Sequence, residues 1–418
     1  MSVEPIAVEL TDAAFGGDAI GHLPDGRVVF VPHALPGEAA VVHLLLERRD
    51  FARGEIAALQ RTAPGRVEPP CPYFKEGCGG CSWQHADYAL QLRLKQQIVA
   101  DQLRRIGHFA TVDELVRAPI GMLEPWNYRN QARFTVGRRF GELCFTYRGS
   151  HRLMRIDHCW IVHPTINAIV ERAQGKLTER RIHQVLVRVG ANSGQFLVAP
   201  ALPEVPEIES GQPFVEEELL GRRFRLEPPS FFQVNTRREI RELPAVIGSP
   251  RLPLPSDGVS MAEILALLVI DRAEPSPLSV IVDAYSGVGT FALLLAPLVL
   301  EVIGIEEARS AIRDAEYNAS GLENVRFIQA KAEAALPELD ARPDAVVLDP
   351  ARTGCHPDVL RALLRLKPRR VVYVSCDPST LARDLRVLVD GGYTLDEVQP
   401  LDMFPQTYHI ECVATLSA

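Results

Sequence analysis

The spacing of apolar residues changes character along the chain, and each change marks a different kind of unit. Val3–Leu10, Ala19–His22, Arg27–Val31, Glu38–Glu47 and Phe51–Gln60 are short, β-prone segments. Gly16-Gly17, Asp25-Gly26 and Pro36-Gly37 supply the turns between them. Such a run predicts a small OB-like β-barrel over residues 1–62. From His85 to Gly107, Tyr88, Leu92, Ile98, Val99 and Leu103 recur at helical spacing. A strand-rich stretch follows from Trp126 to about residue 200, then a Pro-rich connection over 200–213. Helices are predicted from Thr236 and over Met261–Asp271, the second flanked by Pro- and Ser-rich segments.

From Val280 onward, strand and helix alternate. The predicted strands are Val280–Asp283, Glu301–Glu306, Val325–Gln329, Ala345–Asp349 and Arg370–Cys376, with a closing antiparallel pair near 393–399 and 409–416. Their continuous apolar runs are those of a buried parallel sheet, so the fold class is α/β, doubly wound. A chain of 418 residues exceeds one core. The expected division is 1–62, 63–229 and 230–418, the middle part being α+β.

Composition is ordinary, with 47% apolar and 23% charged residues and a net charge of −8, so global charge points to no nucleic acid. Local charge does. Seven arginines (129, 133, 138, 139, 148, 152 and 155) lie between residues 126 and 155, with Glu142 the one acidic residue there. Interleaved with Trp126, Tyr128, Phe134, Phe140 and Tyr147, they have the composition of an RNA-binding face. The first twenty residues lack a signal-peptide pattern, and the apolar runs Met261–Ile270 and Phe291–Leu300 are too short to span a bilayer. A cytoplasmic protein with no membrane partner and no evident obligate protein partner is expected. Its eight cysteines should then be thiols, metal ligands or catalysts.

Cys71, Cys78 and Cys81 fall within eleven residues, and Gly79-Gly80 lets that loop fold so that thiolates converge. Cys159 is the preferred fourth ligand, because Cys144 sits in an alternating strand pattern that packing explains. Four thiolates suit Zn²⁺ or an iron–sulfur cluster, and three clustered cysteines with one distant fit the cluster better. In the α/β part, Asp283 to Thr290 (Asp-Ala-Tyr-Ser-Gly-Val-Gly-Thr) follows a strand and opens a helix. Gly287 and Gly289 allow close backbone approach to a ligand, and Glu306 ends the next strand where a carboxylate would accept ribose hydroxyls. With Ala292 in place of a third glycine and no phosphate-binding lysine, S-adenosylmethionine is favoured over NAD or ATP. Asp349-Pro350-Ala351-Arg352 ends the fourth strand, and Cys376 tips the fifth. Ligands collect at such strand ends. Cys376 is therefore a candidate nucleophile, set against the plain reading of a buried small hydrophobe.

These stretches, with Ser230-Phe231-Phe232-Gln233-Val234-Asn235, Ser375-Cys376-Asp377-Pro378 and Phe404 to Glu411 (Phe-Pro-Gln-Thr-Tyr-His-Ile-Glu), resemble the RNA uridine-5-methyltransferases over nearly the whole chain. The resemblance implies a TRAM domain over the first 62 residues, a class I S-adenosylmethionine-dependent methyltransferase domain and a [4Fe–4S] site at the four cysteines. It implies Cys376 as the thiolate that adds to uracil C6 and Glu411 as the base for the C5 proton. It places Gln233, Tyr285, Glu306 and Asp349 on the cofactor and Phe231 near a flipped base. RNA is the implied partner, rRNA before tRNA. The chain departs from the family in its C-x6-C spacing, in Ala351 where proline is usual, in Lys331 near the expected adenine site, and in a longer 244–279 segment. Two further readings use part of this pattern: an RNA cytosine-5-methyltransferase, whose cysteine typically follows proline, and a non-catalytic iron–sulfur RNA-binding protein.

Overall fold

The computed structural model describes residues 5–418 except Arg138. The start of the first expected strand, Val3 and Glu4, and Arg138 of the arginine patch therefore lie outside the described residues. The chain forms two compact units: residues 1–98, 145–154 and 404–409 in the first, and 99–144, 155–403 and 410–418 in the second.

In the first unit, alternation produces the expected barrel. Among the described residues, β1 (Ile6–Ala13), β2 (Ala19–His22), β3 (Val28–Val31), β4 (Ala39–Glu47) and β5 (Phe51–Arg61) close in the order β1-β2-β3-β5-β4. Val8, Leu10, Val29, Val31, Ala40 and Val42 fill it from inward-facing positions. Strand crossings are tight enough at Gly54 that a Cβ would stand 2.3 Å from Val42, so only glycine fits there. One carboxylate beneath the barrel is fully buried. Glu38 accepts from the backbone N–H groups of Leu35 (2.9 Å) and Ala63 (3.2 Å) and from Arg66 at 2.5 and 2.7 Å. The fully buried Lys95 is likewise satisfied, donating to the carbonyls of Phe404 (3.2 Å) and His409 (2.8 Å) and so holding segment 404–409 in this unit.

In the second unit, β6 (Gln131–Gly137) pairs antiparallel with β7 (Glu142–Thr146) and with β9 (Gln184–Val189), and β9 with β10 (Phe196–Ala199). The strand β8 (Leu153–Arg155) starts within segment 145–154 of the first unit, while β11 (Val215–Leu219) and β12 (Arg222–Leu226) of the second form a ribbon. The α/β sheet contains β13 (Val280–Asp283), β14 (Glu301–Glu306), β15 (Val325–Gln329), β16 (Ala345–Leu348), β17 (Arg370–Ser375), β18 (Thr394–Leu401) and β19 (Glu411–Ser417). Among the described residues its order is β15-β14-β13-β16-β17-β19-β18, parallel through β17 with β19 antiparallel. Ile281, Val282, Ala345–Leu348 and Val371–Val374 are fully buried, as a sheet covered on both faces requires.

The helix expected over His85–Gly107 is found as Tyr88–Arg105, and Met261–Ala273 opens on a capping box between Ser260 and Glu263. The helix expected from Thr236 does not form. The backbone N–H groups of Glu239 and Ile240 go instead to the carbonyl of Val259, while Arg238 reaches the buried Glu263 carboxylate at 2.9 Å. Satisfying that buried charge outweighs one local helix.

Replacing Glu38 by Ala should cost about 3–5 kcal/mol, because Arg66 and two buried N–H groups lose their partner. Thermal unfolding of the full chain followed by calorimetry should show an earlier first transition, with a smaller loss for Glu38→Gln.

Candidate active site

The carboxyl ends of β13, β14, β16 and β17 converge on one crevice, and each delivers a polar residue there. Asp283 ends β13. Its Oδ2 accepts from Ala292 N–H at 3.0 Å in the helix Thr290–Leu295, while Oδ1 is buried without a protein partner. Ser286 Oγ in the following turn is orphaned in the same way. Buried acceptors are almost always satisfied, so the turn is built to receive a ligand with donors. Gly287 (φ 54°) and Gly289 (φ 87°) take left-handed conformations that bend the turn, and Gly287 N–H reaches Glu306 Oε2 at 3.0 Å. Glu306 Oε1 takes the Ala308 N–H at 2.7 Å, which fixes the carboxylate at the tip of β14.

Gln233 reaches the same crevice from a braced segment. Ser230 donates to Asp314 at 2.6 Å, Arg188 binds the Ser230 carbonyl at 2.6 Å, and Asn235 donates to the Met403 carbonyl at 3.2 Å. Gln233 Nε2 then approaches Asp349 Oδ2 at 3.5 Å, and Phe231 stands 68% exposed beside it in the chain.

Cys376 and Glu411 are brought together by strand register. β17 and β19 pair as far as Ser375 opposite Cys412; Cys376 and Glu411 are the next residues on either side, and the Glu411 charge acts on the Cys376 thiol. Cys376 is partly exposed and Glu411 is 4% exposed. Burial first, then the Glu411 charge, pushes the Cys376 thiol up to about 11, while Arg352, hydrogen-bonded to the sulfur, pulls it down. Glu411 is itself held well above the usual carboxylate range by burial and by Asp349, again opposed by Arg352. Burial raises Asp349, and burial with the Asp349 charge pushes Asp283 up to about 8. The crevice thus holds more carboxyl groups than cations, and Arg352 is the cation that reaches the thiol.

Arg352 is positioned from behind. Thr380 Oγ1 donates to the Arg352 carbonyl at 3.1 Å, and Arg383 donates to the Thr353 carbonyl at 3.0 Å, both from the helix Pro378–Asp390. Asp377 caps that helix through Ser379 N–H at 2.9 Å. Buried Asp384 accepts from Tyr373 OH (2.7 Å) and Cys355 N–H (2.8 Å), which ties loop 349–356 to β17. At Gly354 (φ 75°) a Cβ would lie 2.6 Å from Asp384, so the loop crosses the helix there only as glycine. Tyr285, expected at the cofactor, hydrogen-bonds the Cys355 thiol and joins the same network.

The sequence reading named Cys376, Glu411, Asp349, Gln233, Tyr285 and Glu306, and all lie in the second unit. It missed Arg352 and Asp283 as site residues, although both stand in motifs it had singled out. Strand-end position was a usable signal for Asp283. Nothing local shows that Arg352 turns back to a sulfur. Two aromatic residues assigned to the RNA face are corrected: Tyr128 and Phe134 are 1% and 0% exposed and belong to the core. Arg139 packs on exposed Phe140 at 4.9 Å in the second unit, and Arg152 on Tyr147 at 5.1 Å in the first.

Of the cysteine set, Cys71, Cys78 and Cys81 are in the first unit and Cys159 in the second. Cys71 precedes the short helix Pro72–Lys75, and Gly80 N–H faces Cys78 Sγ at 3.5 Å. Among the described residues, no group of three or more His, Cys, Asp or Glu side chains is arranged to hold a metal ion. Nor is any helix among them long and apolar enough to cross a membrane.

The fold is that of a class I S-adenosylmethionine methyltransferase joined to an OB-like barrel. It aligns with the crystal structure of Pyrococcus abyssi tRNA (uracil-54, C5)-methyltransferase, solved with S-adenosyl-L-homocysteine, at TM-score 0.71 and 23% identity, covering 98% of this chain and 100% of that one. Residues 278–418 match the tRNA (uracil-5-)-methyltransferase family model, and residues 2–57 match the TRAM domain. An uncharacterised RNA methyltransferase of Gloeobacter violaceus is 38% identical over 99% of this chain and 96% of its own length. One from Halalkalibacterium halodurans is 34% identical over 98% and 96%. The chain belongs to this family, the RNA (uracil-5-)-methyltransferases.

Arg352→Gln should raise the pH at which Cys376 ionises, since it removes the cation that stabilises the thiolate. Glu411→Gln should lower it by removing a negative neighbour. Iodoacetamide labelling of the Cys376 peptide against pH, read by mass spectrometry, should show slower alkylation at pH 9 in the first variant and faster in the second.

Proposed function

We propose that this enzyme methylates C5 of uridine in RNA, using Cys376 as a covalent nucleophile and Glu411 as general base. The observation that carries the reading is that Cys376 and Glu411, next after the last β17–β19 pair, act on one another electrostatically, with Arg352 hydrogen-bonded to the sulfur. Uracil C5 is too weak a nucleophile to attack a sulfonium methyl directly. Addition of the Cys376 sulfur to C6 forms an S–C6 bond and moves the C5–C6 electron pair toward O4, which makes C5 a carbon nucleophile. Arg352 supports the thiolate that this step requires. S-adenosylmethionine supplies the methyl group.

Glu411 then takes the C5 proton, the C5–C6 double bond re-forms, and the S–C6 bond breaks to return the Cys376 thiolate. A carboxylate held above its ordinary range is a stronger base for that proton. Gln233, Tyr285, Glu306 and Asp349 line the cofactor's place with Asp283, whose orphaned oxygen and that of Ser286 match a ligand rich in donors. Phe231, exposed ahead of Gln233, packs on the target base once it leaves its stack. The substrate is RNA, with large-subunit rRNA read ahead of tRNA from the barrel joined to a cysteine loop. Three domains, 1–62, 63–229 and 230–418, divide barrel, RNA-binding part and catalyst.

The same reading assigns Cys71, Cys78, Cys81 and Cys159 to a structural [4Fe–4S] cluster. Its support is the donor chemistry of three thiols around Gly79-Gly80, with the Gly80 N–H facing sulfur. No step of the reaction runs through it.

Cys376→Ala should abolish methylation, and Glu411→Gln should trap a covalent RNA adduct visible on a denaturing gel. Full activity in the Cys376 variant would sink the mechanism. Nucleoside analysis of the product separates 5-methyluridine from 5-methylcytidine, and mapping in RNA from a deletion strain identifies the position. For the cluster, anaerobically purified chain should contain about four irons with matching sulfide, lost in Cys159→Ser. Zinc, or no metal, in that preparation would reject it.

A further inference from the structure

The loop that carries Phe231 and Gln233 leaves β12 through Glu227-Pro228-Pro229-Ser230. Proline has no N–H, so this turn has backbone donors only at Glu227 and Ser230. The Ser230 N–H closes the turn on the Glu227 carbonyl at 3.0 Å. One such bond does not fix a loop, and the remaining polar groups of the turn are taken up by other elements of the second unit.

Two buried side chains of opposite charge do this. Asp314, fully buried in the helix Arg309–Asn318, accepts through Oδ2 both the Glu227 N–H at 2.8 Å and the Ser230 hydroxyl at 2.6 Å. Arg188 of β9, also buried, donates to the carbonyls of Glu227 at 3.3 Å and Ser230 at 2.6 Å. Its fork grips Gln131 Oε1 of β6 as well, at 2.9 and 2.6 Å, which fixes the guanidinium plane. Burial pulls Arg188 down to about 10, and the Asp314 charge opposes that. Phe231 is the next residue after this clamp. Its neighbour Phe232 is buried against Phe224 of β12, with ring centres 5.5 Å apart, which leaves Phe231 facing outward and carries Gln233 on toward Asp349. Asp314 sits on the helix directly after β14, so the loop is tied to the strand that ends in Glu306.

We infer that Arg188 and Asp314 are positioning residues of the methyl transfer, acting through the backbone of residues 227–230 to fix Phe231 at the target base and Gln233 at the cofactor. The inference rests on the reading above, in which those two side chains meet base and cofactor. Neither Arg188 nor Asp314 has to touch either ligand. Binding of the RNA as a whole draws on many contacts, whereas placing one base beside the methyl donor depends on this loop. Loosening the clamp therefore lowers the rate at saturation and leaves the half-saturating RNA concentration in place.

The test measures methyl incorporation by the full chain into total RNA from cells lacking the enzyme. Ser230→Ala removes one hydroxyl, Asp314→Ala removes the acceptor of both bonds, and Asp314→Asn keeps an oxygen in its place. Ser230→Ala should lower the rate at saturation by about tenfold, the scale of one hydrogen bond to a charged group, and Asp314→Ala should lower it further. Half-saturation by RNA should not change, and Asp314→Asn should recover most of the rate. Alkylation of Cys376 against pH should match the unaltered chain in all three, since Arg352 and Glu411 are untouched, whereas general disruption of the unit would shift it. Ser230→Ala decides the question even if Asp314→Ala does not fold. A full rate in Ser230→Ala would overturn the inference and leave the catalytic reading intact. So would a loss that Asp314→Asn does not recover and that comes with a shifted Cys376 profile. No methylation by the unaltered chain would remove the catalytic reading and this inference with it.

Discussion

The constraint on which the site depends is the antiparallel pairing of β17 with β19. Residues 376 and 411 are separated by a helix and the whole of β18, yet the pairing from Arg370–Ser417 to Ser375–Cys412 ends immediately before both of them and so brings them to one place. A slip of one residue would turn Glu411 to the other face of the sheet and replace it with an apolar neighbour. Among the described residues seven strands, most of them largely buried, hold that register. The rest of the unit can be seen as the support that makes one sulfur and one carboxyl group neighbours.

Charge balance follows from the same geometry. Parallel strands deliver their last residues to one edge, and here Asp283, Glu306 and Asp349 arrive there together, with Glu411 added from the antiparallel strand. Burial and mutual repulsion raise Asp283, Asp349 and Glu411. Such an arrangement costs stability by itself. Arg352 interrupts it beside the Cys376 sulfur. Its position is inherited from the helix Pro378–Asp390, through Thr380 and Asp384. The buried Tyr373 hydroxyl, which would otherwise be an unsatisfied group inside the sheet, serves as one end of that brace.

The two units solve different problems with buried charge. In the barrel unit Glu38 and Lys95 are fully satisfied, by Arg66 and backbone N–H groups in one case and by carbonyls in the other. Those groups fix loops in place. In the second unit, Asp283 Oδ1 and Ser286 Oγ are left without protein partners.

Much of this was legible in the chain because it is written locally. Alternation announced the barrel, continuous apolar runs announced the parallel sheet, and Gly287 with Gly289 marked the ligand turn. Strand ends pointed to Glu306, Asp349 and Cys376, since in this architecture position along a strand is position relative to the crevice. Long-range competition decided the remainder. Thr236 failed to start a helix because Arg238 was drawn to a carboxylate buried 25 residues away in sequence. Tyr128 and Phe134 looked like a stacking surface and became core, because composition says nothing about which face of a strand turns inward. Arg352 acquired its role from Thr380 and from a sulfur 24 positions on. Periodicity and spacing are properties of neighbours along the chain. Partnership between side chains is settled only when the backbone has closed around them.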